Sequence, residues 1–464
     1  MTKDLTNGSP FRLILEFALP VLAGMLFQQM YNMVDTMIVG RYLGVNALAG
    51  VGATGPINFL VLGFCMGICA GFAIPVAQQF GAQDEKKLRA YVANGVMIAA
   101  AFALVITVAT VALCRPILKV MHTPSDCYEE AYSYIVVIFL GIPFTIFYNM
   151  EAGYLRSLGD SKTPLFFLIF SSFLNVALDI FCIRVLHLGV MGASLATILS
   201  QAVSGLLCFA WILKKVPILH IPRGEWKLER GKAKDLCVQG VPMGLQYSIT
   251  AIGSVILQTA INSLGAVAVA AATAANRALG FLGCPFDALG STMATYGAQN
   301  VGASRYDRLN RGVFTASAIG WGYSLLAICA AFFAGDEMAR LFVGANGSAT
   351  LIEYAQRYMI MSALFYPFLT LVNVVRFTVQ GMGFSGIAII AGVLEMVARA
   401  GVGMFAVPAL GFLGVCLGGP FAWLLAGTFL VWAYFHCRRA LMSGQIVHHR
   451  YDVSEEIAPQ LSQK

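Results

Sequence analysis

Long apolar runs separated by short polar stretches fill most of the chain, and none of them alternates with a period of two. A bilayer core of about 30 Å takes around 20 apolar residues per helix. Measured against that length the runs number twelve, at roughly 12–40, 46–79, 90–113, 128–155, 164–184, 189–213, 235–262, 266–298, 312–334, 350–379, 386–408 and 412–437. Inside lipid only helices and closed barrels satisfy every backbone N–H and C=O. Without strand-like alternation, the pattern predicts an all-α integral membrane protein of twelve transmembrane helices.

The polar boundaries repeat. ALPVLAGMLFQ opens the first run and GVPMGLQYSIT the seventh, with Pro20 and Pro242 222 positions apart. QQFGAQDEKKLR after the second run is answered by QNVGASRYDRLN after the eighth, setting Gly81 against Gly302. LGVMGASLA matches LGFLGVCLG (Gly189 with Gly411, Gly192 with Gly414), and RSLGDS matches QGMGFS. A recurring offset divides the chain into an N-lobe (1–213), a cytoplasmic inter-lobe linker (214–234), a C-lobe (235–437) and a cytoplasmic C-terminal tail (438–464). Each lobe holds six spans, an even number, so both cross in the same sense. The expected relation is a pseudo-two-fold along the membrane normal, as in many secondary transporters. Pro20 and Pro242, one near the start of each lobe, are candidate gating kinks.

Composition agrees. Of 464 residues 58% are hydrophobic and 11% charged, against roughly 45–50% and 25% in soluble domains. That excludes a soluble enzyme, a disordered chain and a nucleic-acid binder. The net charge of +7 resolves into topology. With both termini inside, the inner segments hold 21 Lys and Arg and the outer loops 5, as the positive-inside rule demands. The N-terminus MTKDLTNGSP runs straight into an apolar segment, so no cleavable signal peptide is expected. Eleven Cys are scattered singly. Cys114 and Cys127 flank one polar loop and are the one candidate disulfide, while Cys65 and Cys69 read as packing.

Ionisable residues deep in a span are costly and mark function. Four acids qualify: Asp35, Asp179, Asp287 and Glu395. No His lies mid-span and no GxxxxGK[ST] loop is present, which argues against a His relay and P-loop hydrolysis of ATP. Asp35 and Asp179 each stand about 8 Å from the outer end of their helix at 1.5 Å per residue. Asn149, Asn175 and Thr197 fall at depths from which they reach the same upper half of the N-lobe, and Tyr134 is a further oxygen donor. Two carboxylates with amide, hydroxyl and phenol oxygens make a seat for Na⁺ or a proton. The plainer alternative is that Asp179 pairs with Arg184 and that Asp35 is wetted from outside. The C-lobe has no matching acids, the positions around Thr250 and Leu369 being neutral. Glu395 and Arg399, four apart, read as a structural ion pair, with Arg376 a further charge within a span. Asp287 and Arg277, with Gln28, Met30, Tyr31 and Gln246, are candidate linings of a substrate cavity.

Taken together, the repeated proline helix, VDTMIVGRYLGVNALAGVG, the two inner loops and LGVMGASLAT resemble the multidrug and toxic compound extrusion (MATE) transporters, over roughly residues 10–440. The resemblance implies a two-lobed, twelve-helix antiporter, not an enzyme and needing no cofactor. It would export organic cations or other amphipathic compounds in exchange for Na⁺ or H⁺ from a bacterial cytoplasmic (inner) membrane, as a monomer. Within that family the chain is most similar to the DinF-like branch, whose cation site falls on Asp35, Asp179, Asn149, Asn175, Thr197 and Tyr134. The NorM-type glutamate, eight residues after the seventh-helix proline, is replaced by Thr250, and the tenth-helix aspartate is missing near Leu369. A flippase for a lipid-linked saccharide, which uses a similar fold and would need a basic cavity, is the alternative; Arg277, Arg376 and Arg399 leave it open.

Overall fold

The structure, a computed structural model, describes residues 3–121, 123–343 and 348–443. Its helices in the N-terminal half are α1 (Pro10–Leu43), α2 (Val45–Gly81), α3 (Glu85–Val120), α4 (Tyr128–Leu140), α5 (Ile142–Ser157), α6 (Lys162–Ile180) and α7 (Val190–Lys215). The C-terminal half adds α8 (Arg230–Asn262), α9 (Ala266–Gly302), α10 (Tyr306–Val343), α11 (Ala349–Leu364), α12 (Tyr366–Gly381) and α13 (Ser385–Gly401). The short α14 (Val407–Leu410) and α15 (Phe412–Cys416) then lead to α16 (Gly418–Met442). Among the described residues ten helical stretches are long and apolar enough to cross a bilayer. Two further spans come from bent pairs, α4–α5 at 48° and α11–α12 at 52°. Each bend is followed by a proline in the first turn of the new helix, Pro143 and Pro367, where a missing N–H costs nothing and the fixed φ restarts the helix.

The backbone repeats as the sequence does. Left-handed residues pair across the halves: Gly44 with Gly265, Gln83 with Ser304, Gly159 with Gly383, and Gly189 with Gly411. A π-helical turn follows α6 at Phe181–Val185 and α13 at Val402–Ala406. Each half buries its own core. One runs from Ile38 to Leu236, and the other is built from residues between Leu257 and Leu441. Two six-span lobes result.

Several helices outrun the apolar runs. α3 begins at Glu85, where the Asp84 carboxylate accepts the Lys87 N–H at 2.9 Å, because a helix starts at its cap and not at the membrane edge. Likewise α7 continues to Lys215 and α8 begins at Arg230, inside the stretch expected as linker. Residues 216–229 between them lie against α3. There Arg89 donates to Glu225 at 2.8 and 3.2 Å, and Asn94 accepts the Glu229 N–H at 2.8 Å. Arg438 and Arg439 of the expected tail belong to α16, and residues 444–464 lie outside the described residues.

The lobes meet along α2 and α8, backbone against backbone. A Cβ on Gly67 would lie 2.6 Å from the Gly244 Cα, and one on Gly71 2.4 Å from the Gly240 Cα. Only glycine permits that approach. Toward one end the contact becomes reciprocal. Gln78 of α2 donates to the Gly381 carbonyl that ends α12, at 3.0 Å, and Gln299 of α9 donates to the Ser157 carbonyl that ends α5, at 2.8 Å. Each glutamine thus satisfies an orphan carbonyl of the opposite lobe. A strap at residues 3–8 threads the same place. The Gln299 side-chain oxygen accepts the Leu5 N–H at 2.8 Å, the Lys3 N–H reaches the Leu158 carbonyl at 2.8 Å, and Arg308 donates to the Gly8 carbonyl at 2.9 Å. We call this the latched end. An opening of about 920 Å³ lies at the opposite end between α1, α2 and Arg277 of α9.

Candidate functional site

A cavity of about 550 Å³ opens between the lobes, within the roughly 300–1,000 Å³ that small-molecule sites occupy. Gln28 and Tyr31 of α1, Asn149 and Arg156 of α5, Asn175 of α6, Gln246, Tyr247 and Thr250 of α8, Asp287 of α9 and Arg376 and Phe377 of α12 line it. Two expected lining residues do not. Met30 is half exposed away from it, because two residues turn a helix about 200° from the Gln28 face. Arg277 lines the opening at the far end instead.

Asp35 and Asp179 come together. Asp35 sits on α1 and Asp179 on α6, and their carboxyls lie within hydrogen-bonding reach of each other. Asp179 is fully buried, and neither of its oxygens has a hydrogen-bond donor among the described residues; nor does Oδ1 of Asp35. Two carboxylates cannot hydrogen-bond to one another unless a proton sits between them. Such a pair is satisfied only by a proton or a bound cation. The Tyr31 and Tyr134 phenols stand close enough to act electrostatically on both acids. Asn175 sits one turn before Asp179 on α6 and donates to the Thr197 hydroxyl at 3.3 Å, while its own Oδ1 is buried without a partner. Asn149 lies on the cavity wall, its amide donating to the Thr145 carbonyl at 2.8 Å. Arg184 is not the partner of Asp179: its guanidinium lies over the Tyr42 ring, 5.4 Å from the centroid.

In the C-lobe, Glu395 on α13 binds two arginines, Arg376 of α12 and, at 3.5 Å, Arg399 one turn along its own helix. The pairing expected from spacing is therefore one arm of a buried triad, and Arg376, 19 positions away, is the arm that spacing could not reveal. Asp287 feels the Arg376 charge across the cavity. Arg156 has no acidic partner among the described residues and stands on the N-lobe wall. Leu369 packs into the C-lobe core while Thr250 faces the cavity. Pro20 and Pro242 lie inside the continuous helices α1 and α8. Cys114 and Cys127 are buried and unbonded, and Cys69 packs against α5 with its thiol toward the Ile146 carbonyl.

Sequence reasoning passed over Glu151. It falls four residues from the end of the expected span 128–155 and so reads as a boundary residue, yet the structure buries it, with both oxygens lacking a donor. Gln78 and Gln299 were missed as well; their equivalence at the repeat offset was the available signal.

The MatE family model matches residues 20–181 and 242–405, one copy in each lobe, each beginning at a repeat proline. The chain belongs to the MatE family. It is therefore a multi-pass membrane transporter and not an enzyme. Curated relatives of this MatE protein include the probable multidrug resistance protein YpnP of Bacillus subtilis (strain 168). That protein is 27% identical over 382 residues, covering 82% of this chain and 84% of the relative. The FAD transporter of Shewanella oneidensis MR-1 is 23% identical over 359 residues, covering 75% and 77%. Among solved structures, MATE in complex with MaL6 superposes with a TM-score of 0.89 at 22% identity, over 96% of this chain and 100% of that one. The outward-facing conformation of a multidrug resistance MATE family transporter superposes at 0.88, also at 22% identity, over 94% and 98%. These likenesses carry the fold.

Proposed function

We propose that the protein is a cation-coupled antiporter that exports organic cations or other amphipathic, drug-like compounds by alternating access. Na⁺ or H⁺ is the coupling ion, held at Asp35 and Asp179 as in a DinF-like site. The observation that carries this reading is the pair of facing carboxyls on α1 and α6 with buried, donorless oxygens. Beside them lies a cavity of drug-sized volume lined by Tyr31, Tyr148, Tyr247, Phe59 and Phe377. Asn175, Thr197, Tyr134 and Asn149 supply the remaining oxygens of the cation seat. The chain needs no other cofactor.

The cycle follows from electrostatics. With its seat empty, the acid pair is two negative charges at close range, a costly arrangement in a low-dielectric interior. A cation from outside relieves that repulsion and lets α1 repack against α6, bending at Pro20, while Pro242 offers the matching hinge in α8. Gln28 and Tyr31 ride on α1 beside Asp35, so the repacking distorts the cargo cavity and expels its occupant. Linkage is reciprocal: cargo must weaken cation binding by the factor with which the cation weakens cargo binding. The latched end faces the cytoplasm of a bacterium, with both termini and the 216–229 connection on that side, in keeping with the basic inner segments. A monomer suffices, since the seat and the cavity are complete within one chain.

The test is efflux of a fluorescent cation from proteoliposomes under separately imposed Na⁺ and pH gradients. Asp35→Asn and Asp179→Asn should each abolish gradient-driven transport, and full activity in both would refute the coupling role. Arg156 and Arg376 on the cavity wall favour a second reading, flipping of a lipid-linked pyrophosphoryl saccharide. In that case the Asn variants would still flip lipid, and expression would leave drug resistance of a sensitive bacterial host unchanged.

A further inference from the structure

Inside the N-lobe, polar side chains form a file between α5 and α7 that touches the cargo cavity at Asn175 and Gln201, while Ser204, Cys208 and Glu151 are not part of its lining. Thr197, Gln201, Ser204 and Cys208 recur at intervals of four, three and four residues along α7, which puts them on one face. The file starts at the acid pair, because Asn175, one turn from Asp179, donates to Thr197 at 3.3 Å. Gln201 accepts from the Thr145 hydroxyl of α5 at 2.6 Å. Ser204 is fully buried and its hydroxyl has no partner among the described residues. The Cys208 thiol stands close enough to Glu151 of α5 for the two to act on each other electrostatically. From Thr197 to Cys208 the helix climbs about 16 Å toward the latched end. There Asp160, in the turn after α5, acts on Cys208.

Glu151 is the unexplained member. It is 6% exposed, and both carboxyl oxygens are buried without a donor. The titratable groups facing it are the Cys208 thiol from α7 and the Tyr148 phenol from its own helix; Arg156 acts on Tyr148 and turns to the cavity, and Asp160 reaches it only through Cys208. No cation among the described residues pairs with it, and an unpaired buried carboxylate is costly. Metal cations of this hard kind require several oxygen ligands, whereas the neighbours here are a thiol and a phenol. A proton satisfies the site with one bond.

We propose that Glu151 is a second proton-binding site, through which protons leaving Asp35 and Asp179 pass along the α5–α7 file to the latched end. The inference rests on the antiport reading and names its coupling ion as H⁺. Ser204, Cys208 and Glu151 do not line the cargo cavity, so the last leg of the proton's exit is separate from the cargo's route.

The test uses full-length protein in proteoliposomes with ethidium as the transported dye and an imposed pH gradient. Glu151→Gln should slow gradient-driven ethidium transport at least tenfold, and Glu151→Asp should recover part of the rate. Ethidium binding followed by its fluorescence reports whether the variant is folded. If Glu151→Gln loses dye binding too, Ser204→Val decides, because breaking the file should produce the same tenfold loss. Wild-type rate and pH profile in Glu151→Gln, or in Ser204→Val in that event, overturn the proposal, as does transport driven by Na⁺ alone. Failure here is distinguishable from failure of the antiport reading. Inactive Asp35→Asn with active Glu151→Gln removes only the second site, whereas active Asp35→Asn and Asp179→Asn remove the coupling scheme itself.

Discussion

Replacing Gln299 by alanine should open the latched end. The side chain donates to the Ser157 carbonyl and accepts the Leu5 N–H, both at 2.8 Å and both buried. Truncation leaves that carbonyl and that N–H without partners, at roughly 1–3 kcal/mol for each unsatisfied group. When the lobes part at this end, water reaches both groups, so the cost falls on the closed state alone. Taking the lower bound for each, about 2 kcal/mol, the closed-to-open ratio drops about thirtyfold, since 1.36 kcal/mol is a factor of ten. Gln78→Ala removes one such bond, to the Gly381 carbonyl. At about 1 kcal/mol it should shift the ratio about fivefold. Spin labels at the exposed positions Lys86 and Asp307, one beside each half of the latch, read the equilibrium by pulsed dipolar spectroscopy in a Cys329→Ala background. A longer-distance population should grow in Gln78→Ala and dominate further in Gln299→Ala. Identical distance distributions in parent and both variants would show that the glutamines do not hold the lobes together.

Other features carry their own expectations. Glu395→Gln should destabilise the fold by about 3–5 kcal/mol, the cost of leaving buried arginines uncompensated, seen as a lower unfolding temperature in detergent; an unchanged temperature would mean that Arg376 and Arg399 find other partners. Gly302→Ala places a Cβ 1.8 Å from the Gln78 carbonyl oxygen, so it should prevent closure and lower transport while dye binding persists; wild-type transport would contradict that geometry. At Asp4, burial opposes ionisation, but hydrogen bonds from the Thr6 hydroxyl and N–H and from Asn7, with the Arg308 charge, hold the carboxyl below its ordinary range. Its contribution is therefore present above the unfolded pKa of about 4 and is lost as pH falls through the lower folded value. Hydrogen exchange at Leu5 should accelerate only in that acid window, and Asp4→Asn should remove the pH step.

Much of this was legible in the sequence, and the illegible part has a physical cause. The twelve spans and the duplication follow from run length and offset, because lipid imposes its thickness on every helix and a copied lobe copies its turns. Asp35 and Asp179 stand out because charge within an apolar run has no cheap explanation. That their carboxyls meet depends on how α1 packs against α6, which no local pattern encodes. Glu151 escaped because a carboxylate near a span end looks solvated; that α7 packs against α5 and brings Cys208 beside it is a tertiary contact no local pattern encodes. Arg376 was visible as a charge within a span, but its pairing with Glu395 was not: the partner sits on another helix, and helical spacing reveals only partners one turn away.

The glycine crossing of α2 and α8 has a consequence for speed. Where two backbones touch with no side chains interposed, one can roll over the other without rotamers having to unlock and re-engage. Gly67, Gly71, Gly240 and Gly244 therefore form a low-friction bearing, and the barrier to switching resides in the polar clasp at one rim. A bulkier residue at Gly67 or Gly71 of the bearing, whose Cβ would meet the facing backbone at 2.6 or 2.4 Å, would act as a wedge that forces this crossing apart.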